Sequence, residues 1–482
     1  MTSPAGPAAG AGFRGALDRL ARESAASSVH HLHVASCSLP PQADPLLLWN
    51  AAPPDEFAAY WETDGETVVG IGVAARGLVP DVRFGVGRPR WFGSLPFVNG
   101  WADPDWNALI DAAFVLPRWT LERAAEGESV KLSLSVRGPL TTRERETAEA
   151  EFARIVEAVI VEERPAPTFS LAVEPMSAPL VAPDDLFARA VWQETVRSAL
   201  GEIAEGRLEK VVLARRIAVP LPPRFTAVDV LRGLRREGSG RFRFGLRNRG
   251  RAFVGASPEC LFHKRGRSVR VEALAGTYDL EADPAADLVS AAEHLFASGK
   301  DLAEHALVVR GVVEALEPLA LSVVPDDWPQ VREARRLAHL STTVRAELRG
   351  DVSALDLVSA LHPTPAVGGL PVDAAVRFIR RNEPAPRGLF AAPIGWMDAE
   401  GDACLAVGIR SALLLESHAW VYAGAGIVDS SDPAAEWDET TAKLRWLAEL
   451  IGSRGAPSPR AGSEAAPPTR SGGPGRAEGQ GA

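Results

Sequence analysis

The sequence predicts an α+β fold: layered antiparallel β-sheets flanked by helices, in a single large unit with disordered termini. Three observations predict it. Strand-like runs recur in hairpin-like succession, long helical patterns fall between them, and the regular strand–helix–strand punctuation of a doubly wound parallel sheet is missing. With 482 residues, 46% apolar and 24% charged, the chain has an ordinary globular composition and ample length for a large core.

Residues 1–40 open on "MTSPAGPAAGAG" and are expected to form a flexible N-terminal segment. Residues 41–165 are expected to form a β-rich subdomain: "ETVVGIGVAARG" and "SVKLSLSVRG" read as strands, and residues 141–163 have helical apolar spacing. The Pro-rich "RPAPTF" marks a joint to a larger catalytic unit, residues 166–452. Within that unit a helix at 183–205 leads into "GRLEKVVLARR", an apolar strand with Lys210 at its lip. Strands around 242–262 and 269–273 precede a long helix at 287–318. "ACLAVGIRSALLLE" and "AWVYAGAGIV" read as late strands, followed by a final helix from Pro433. Residues 453–482 bury too little apolar surface to offset ordering entropy and are expected to be a disordered tail.

The net charge of −10, with no basic stripe, argues against a nucleic-acid partner. No run of 18 apolar residues and no signal-peptide pattern occurs, so a cytoplasmic protein without a membrane span is expected. Cys37, Cys260 and Cys404 are widely spaced, with neither zinc spacing nor a disulfide framework.

Lys210 stands out because Lys131, Lys210, Lys264, Lys300 and Lys443 are the only lysines beside many arginines. Arginine cannot shed its proton at useful pH, whereas a desolvated lysine can. In the last helix, Ser431 or Asp432 is a candidate N-cap. Glu436, Glu439 and Lys443 share one face there, while Trp437, Leu444 and Leu447 mark an apolar stripe. Such a Glu–Lys face is commonplace on solvated helices. Before it, Gly424 and Gly426 end a β-branched run, where glycine often marks a close approach by ligand or backbone. The dinucleotide fingerprint fails because its sixth position is Asp429. Glu304 and His305 lie in an apolar helix; His305 reads as a packing histidine. Carboxylates from two helices, Glu304 with Glu436 or Glu439, would suit Mg2+. Glu259 follows a Pro between two strand-like runs, and a solvated turn is its plainer reading. "EALAGT" and "LHPTPAVGG" are turn-rich.

In order and wording these motifs resemble the chorismate-utilising enzymes, specifically isochorismate synthases. The resemblance runs from about Phe169 to Ile451, over "KVVLARR", "GASPECLF", "EALAGT", "SGKDLAEH", "HLSTTV", "LHPTPAVGG", "GIRSALL" and "AGAGIVDSSDPAAEWDETTAKL". It implies the anthranilate synthase-like fold and a reaction in which water adds at ring carbon 2 while the carbon-4 hydroxyl leaves. By their matching blocks, Lys210 is implied as the base that activates water, and Glu259 as the acid that protonates the leaving hydroxyl. Glu304 and Glu439, with Glu436 close by, are implied as ligands of the Mg2+ cofactor, which would hold the ring carboxylate. Arg410, Lys443 and the backbone at Gly424 are implied to hold the enolpyruvyl carboxylate, and Gly276, Thr277 and His339 match further positions near substrate. Aminating relatives carry glutamine at the position of Lys210, lysine at Ala275 or threonine at Ala366. The residues here favour water as nucleophile and no glutaminase subunit. The alternatives are a salicylate synthase, an aminating relative, or a non-catalytic binder of a carboxylate metabolite. The resemblance allows a product feeding either menaquinone or siderophore synthesis.

Overall fold

The computed structural model describes residues 5–25, 31–77, 89–101, 103–124, 130–160, 186–238, 241–280, 287–334 and 337–452. The expected joint at 164–169 and tail at 453–482 lie outside the described residues.

Two large antiparallel sheets organise the chain. The first has 11 strands. Its order runs Leu32–Leu39, Val130–Arg137, Trp119–Ala124, Glu66–Ile71, Ala58–Glu62, Phe242–Asn248, Arg251–Ser257, Ser411–Leu414, His418–Ile427, Lys210–Pro220 and Gly369–Leu370. The second has 10 strands, counting Gln330–Ala334 beside Leu337–Leu348 off the main path. The other neighbours run Ala320–Pro325, Leu337–Leu348, Ser268–Asp279, Cys260–Arg265, Ala403–Val407, Pro393–Asp398, Arg90–Ser94, Phe114–Leu116 and Ala75–Arg76. The expected α+β class is therefore the observed one.

The division at residue 165 is not a division of the sheets. Ala58–Glu62 pairs with Phe242–Asn248, with Trp61 opposite Phe244, and Arg90–Ser94 pairs with Pro393–Asp398, with Phe92 opposite Trp396. Both sheets thus combine early and late strands. One apolar core lies between the sheets and joins Trp61, Phe92, Val211, Leu213, Phe262 and Val271. A second lies on the other face of the first sheet, where Leu121, Val219 and Val421 meet Leu231, Leu444 and Leu447 from covering helices. Strand alternation explains the split: along Arg251–Ser257, Phe253 faces one core while Ala252 and Val254 face the other.

Three expectations need correction. The N-terminal segment is not all flexible: Ala5–Ser24 is a helix and Leu32–Leu39 is an edge strand paired with Val130–Arg137. Ala9, Phe13, Leu17 and Leu20 are buried at helical spacing, and Phe13 stacks on Phe152 with ring centroids 4.2 Å apart. The alanines of Ala5–Ser24 favour a helix, and the buried apolar stripe supplies the packing that offsets the helix-weakening glycines among them. The helix expected at 287–318 is two helices, Leu288–Ala297 and Gly299–Leu316. Ser298 ends the first and caps the second, its side chain accepting from Asp301 N at 3.2 Å. The helix expected at 141–163 is observed over Thr142–Val159.

If the N-terminal helix is part of the core, Phe13→Ala should cost about 3–5 kcal/mol, the range for truncating a buried aromatic. Urea denaturation of the full chain reads this directly; a change within 0.5 kcal/mol, about the size of a surface substitution, would return the segment to the periphery.

Candidate active site

Lys210, at the strand lip, is wholly buried. Its strand is held on one side by His418–Ile427 and on the other by Gly369–Leu370, where Leu370 stands opposite Lys210 and Gly369 opposite Val211. Beyond that pairing, Val212 donates its N–H to the Gly368 carbonyl. The next backbone groups are met by a buried ion pair instead of a strand. Arg387 donates to the carbonyls of Val212 and Val367, at 2.6 and 2.8 Å, and Glu383 accepts from Ala214 N at 2.8 Å. Arg387 and Glu383 bond each other through Nε and Oε2 at 2.9 Å, with Arg387 over the Phe97 ring. This clamp ties the Lys210 strand to the turn that carries Thr364 and Ala366.

Above the strand is a cavity of about 240 Å³. Its wall includes Glu259, Gly276, Thr277, Glu304, His339, Ala366, Arg410, Gly424, Glu439 and Lys443, as well as Ala275. Lys210 and Glu436 sit just behind the wall. The motifs scattered along the sequence therefore converge on one place.

Glycine makes the convergence possible. A Cβ on Gly426 would stand 2.5 Å from Glu304 Oε1 and 3.0 Å from Lys210 Cε. Any side chain there would push into the Lys210–Glu304 pair, whose Nζ and Oε1 are 2.8 Å apart. That approach lacks hydrogen-bond geometry, so the lysine donors are not spent on it. Gly276 has φ +75°, a left-handed turn that lets its carbonyl meet His339.

Three of the lysines pair with the three carboxylates expected to hold metal. Lys210 meets Glu304, Lys300 meets Glu436 at 3.0 Å, and Lys443 meets Glu439 at 2.5 Å. Lys443 also donates to the Gly424 carbonyl at 3.1 Å. Glu436 is buried, and its Oε2 has no partner. Among the described residues no three His, Cys, Asp or Glu side chains form a ready-made metal cage. An all-carboxylate set with one bare buried oxygen nonetheless fits Mg2+, which takes one or two protein carboxylates and completes its shell with water and substrate.

Burial and neighbouring charge set the acids apart. Burial pushes Glu259 up to about 8, against the opposing pull of the Lys210 charge and the Thr364 hydroxyl. Its backbone is pinned, its N–H donating to Ser257 Oγ at 3.2 Å and its carbonyl accepting from Val407 N at 3.1 Å. Burial and the charge of Glu439 hold Glu436 above the usual carboxylate range, with Lys300 opposing them. For Glu439 burial acts upward too, but Lys443 outweighs it and the carboxyl sits below that range. Burial works against the Lys300 ammonium, and the charges of Glu436, Glu439 and Glu304 overcome it.

His339 is pushed down to about 3 by burial and then by the Arg410 charge. Its Nδ1 lies 3.0 Å from the Gly276 carbonyl and 3.2 Å from Thr277 Oγ1. Since a carbonyl only accepts, Nδ1 carries the proton and the buried, unpartnered Nε2 is a bare acceptor. His305 is the packing histidine expected: buried, bonded through Nε2 to Thr342 Oγ1 at 2.7 Å, and pushed by burial down to about 4. The last helix is capped by Asp432, which accepts from the N–H groups of Ala434 and Ala435. Trp437, Leu444 and Leu447 are its buried stripe.

Sequence reasoning missed Lys300, Arg387 and Tyr422 in the wall. The rarity of lysine, which drew notice to Lys210, applied equally to Lys300. Arg387 gave only a commonplace i,i+4 spacing from Glu383, because its backbone partners are far away in sequence.

Comparison with known proteins places the site in context. A family described as chorismate binding enzyme matches residues 79–452. The chain is 39% identical over 267 residues to the salicylate biosynthesis isochorismate synthase of Pseudomonas aeruginosa, covering 55% of this chain and 56% of that protein's length. It is 33% identical over 370 residues to the isochorismate synthase MenF of Bacillus subtilis, covering 76% of this chain and 75% of the relative. The solved structure of MenF, the menaquinone-specific isochorismate synthase from Escherichia coli, superposes with a TM-score of 0.70 at 27% identity, covering 91% of this chain and all of that one.

Removing the clamp has a measurable cost. Arg387→Met leaves Glu383 and two carbonyls buried without their cation, and should destabilise the fold by about 3–5 kcal/mol. Chemical denaturation of the variant checks this; stability equal to the parent would mean that the strand edge needs no clamp.

Proposed function

This chain belongs to the chorismate-binding enzymes, and we propose that within that family it is an isochorismate synthase, a Mg2+-dependent isomerase that converts chorismate reversibly to isochorismate. The observation that carries the reading is one cavity flanked by two groups of opposite function: Lys210, an amine shut away from water, and Glu259, a carboxyl that burial keeps protonated to about pH 8. Acid and base in one enclosed site are what this exchange of hydroxyls needs.

In this mechanism Lys210 is the base that takes a proton from water as the oxygen bonds ring carbon 2. The ring double bond shifts, the carbon-4 C–O bond breaks, and Glu259 gives its proton to the departing hydroxyl, which leaves as water. Arg410 and Lys443, beside Gly424, offer the cationic surface that the enolpyruvyl carboxylate requires. The bare Nε2 of His339 can accept from a substrate hydroxyl. Glu304, Glu436 and Glu439 would hold Mg2+, which supplies the positive charge that binds the ring carboxylate. Ala275 and Ala366 present only methyl groups where aminating relatives carry lysine or threonine, which supports water as nucleophile. No helix among the described residues is long and apolar enough to cross a membrane. The reading is completed by a cytoplasmic setting, no glutaminase subunit, and a product used for menaquinone or siderophores.

The purified chain with chorismate and Mg2+ should give a reversible mixture with isochorismate, independent of glutamine or ammonia. Salicylate with pyruvate as main products would instead identify a salicylate synthase, and no turnover a non-catalytic binder. Lys210→Ala should lower kcat about 10³-fold with the circular dichroism spectrum unchanged; near-normal turnover would remove Lys210 as base.

Glu259 must hold its proton to act. Its raised pKa therefore puts a limb in the rate profile, with kcat/KM falling as pH rises through about 8. Glu259→Gln should be slow throughout and lack that limb; a parent profile flat to pH 10, about two units beyond that value, contradicts the assignment.

A further inference from the structure

The three Lys–Glu pairs of the cavity are not equivalent. Lys210 is buried on Glu304, and Lys443 is largely buried and held a second time by the Gly424 carbonyl. Lys300 is different: its side chain is 36% exposed while that of Glu436 is 2% exposed. It lines the cavity, so it has open space to move into. It lies within electrostatic reach of Glu436, Glu439 and Glu304 together, and no other lysine of the cavity is paired with the most buried of the three. It engages Oε1 of Glu436 and leaves Oε2 bare. A partly exposed ammonium amid three carboxylates stands where a divalent cation would be attracted.

We propose that Lys300 is the resident counter-ion of the divalent-cation site: it neutralises Glu436 while the metal is away, yields when the metal enters, and so sets the metal affinity. The proposal rests on the Mg2+ reading above. A charge that competes for the same carboxylate weakens binding of the ion that replaces it, in proportion to how poorly water screens the site. Glu436 is almost fully buried, so the competition is strong. The same charge keeps Glu436 compensated in the metal-free protein, where a lone buried carboxylate would be costly. Lys300 is thus a positioning and affinity-setting residue, not one that touches the reacting atoms.

The experiment is a calorimetric titration of the full chain with Mg2+ alone, without substrate. Lys300→Met should bind Mg2+ about tenfold more tightly than the parent, and its metal-free form should melt at a lower temperature, a gap that saturating Mg2+ closes. Lys300→Arg, which keeps the charge, should retain the parent's affinity within about threefold. Lys300→Gln carries the expectation of the Met variant and serves if that variant does not fold. Equal or weaker Mg2+ binding by the charge-free variants, with the parent binding normally, overturns the counter-ion role and leaves the proposed function standing. A parent that binds no Mg2+ overturns the metal reading itself, and the counter-ion role with it.

Discussion

The cavity depends on one buried ion pair, Arg387 with Glu383. On the side away from His418–Ile427, the Lys210 strand loses its sheet partner after Val211, because Gly369–Leu370 is only two residues long. An unpaired backbone group inside a protein costs about as much as a lost hydrogen bond. Arg387 and Glu383 supply the missing donor and acceptor to Val212 and Ala214 and also hold Val367. A buried ion pair contributes little net stability once desolvation is counted, but it fixes geometry. Here it sets the distance between the strand that begins at Lys210 and the turn beside Glu259. The clamp thereby holds the strand that begins at Lys210 against Val367, in the turn whose Thr364 meets Glu259.

The second constraint is charge. Glu259, Glu436 and Glu439 share one residue type and one small volume, yet their surroundings drive them apart. Glu259 and Glu436 are held above the ordinary range, chiefly by burial, whereas Lys443 brings Glu439 below it. Different roles for identical side chains follow from where each is placed, not from its identity. The glycines at 424 and 426 belong to the same logic. A side chain at Gly426 would press on Glu304 and Lys210, and one at Gly424 on the Leu213 carbonyl of the neighbouring strand.

Much of this was legible in the sequence, and the residues say why. The strand at Lys210, the final helix with its buried Trp437 stripe and capped start, and the packing role of His305 follow from local spacing and capping. The α+β class follows from hairpin-like runs. Residue chemistry alone offered Glu304 with Glu436 or Glu439 as a Mg2+ pair, but Glu259 joined them only through the family resemblance, since spacing alone gave it a solvated turn. What escaped was non-local or disguised. Phe13 and Leu17 lie in an Ala-rich stretch whose amphipathic face shows only when Phe152 and Trp119 are known to lie opposite. Arg387 binds backbone groups 175 and 20 residues away, which no periodicity encodes. Lys300 sits four residues before Glu304 on one helix, yet it reaches across to Glu436 on another.

The interlocking of early and late strands has a consequence for how the molecule comes into being. Ala58–Glu62 has no inner neighbour until Phe242–Asn248 is made, and Arg90–Ser94 waits for Pro393–Asp398, some three hundred residues later. On the ribosome the first third of the chain can therefore pair its own strands into a part of each sheet, but each part ends in an edge whose partner is made much later. Closing such long loops precedes the reward of pairing, which makes folding slow, and open edges are where chains associate wrongly. The architecture that unites both ends of the sequence around one cavity thus leaves two sheet edges of the nascent protein open until strands late in the chain are made.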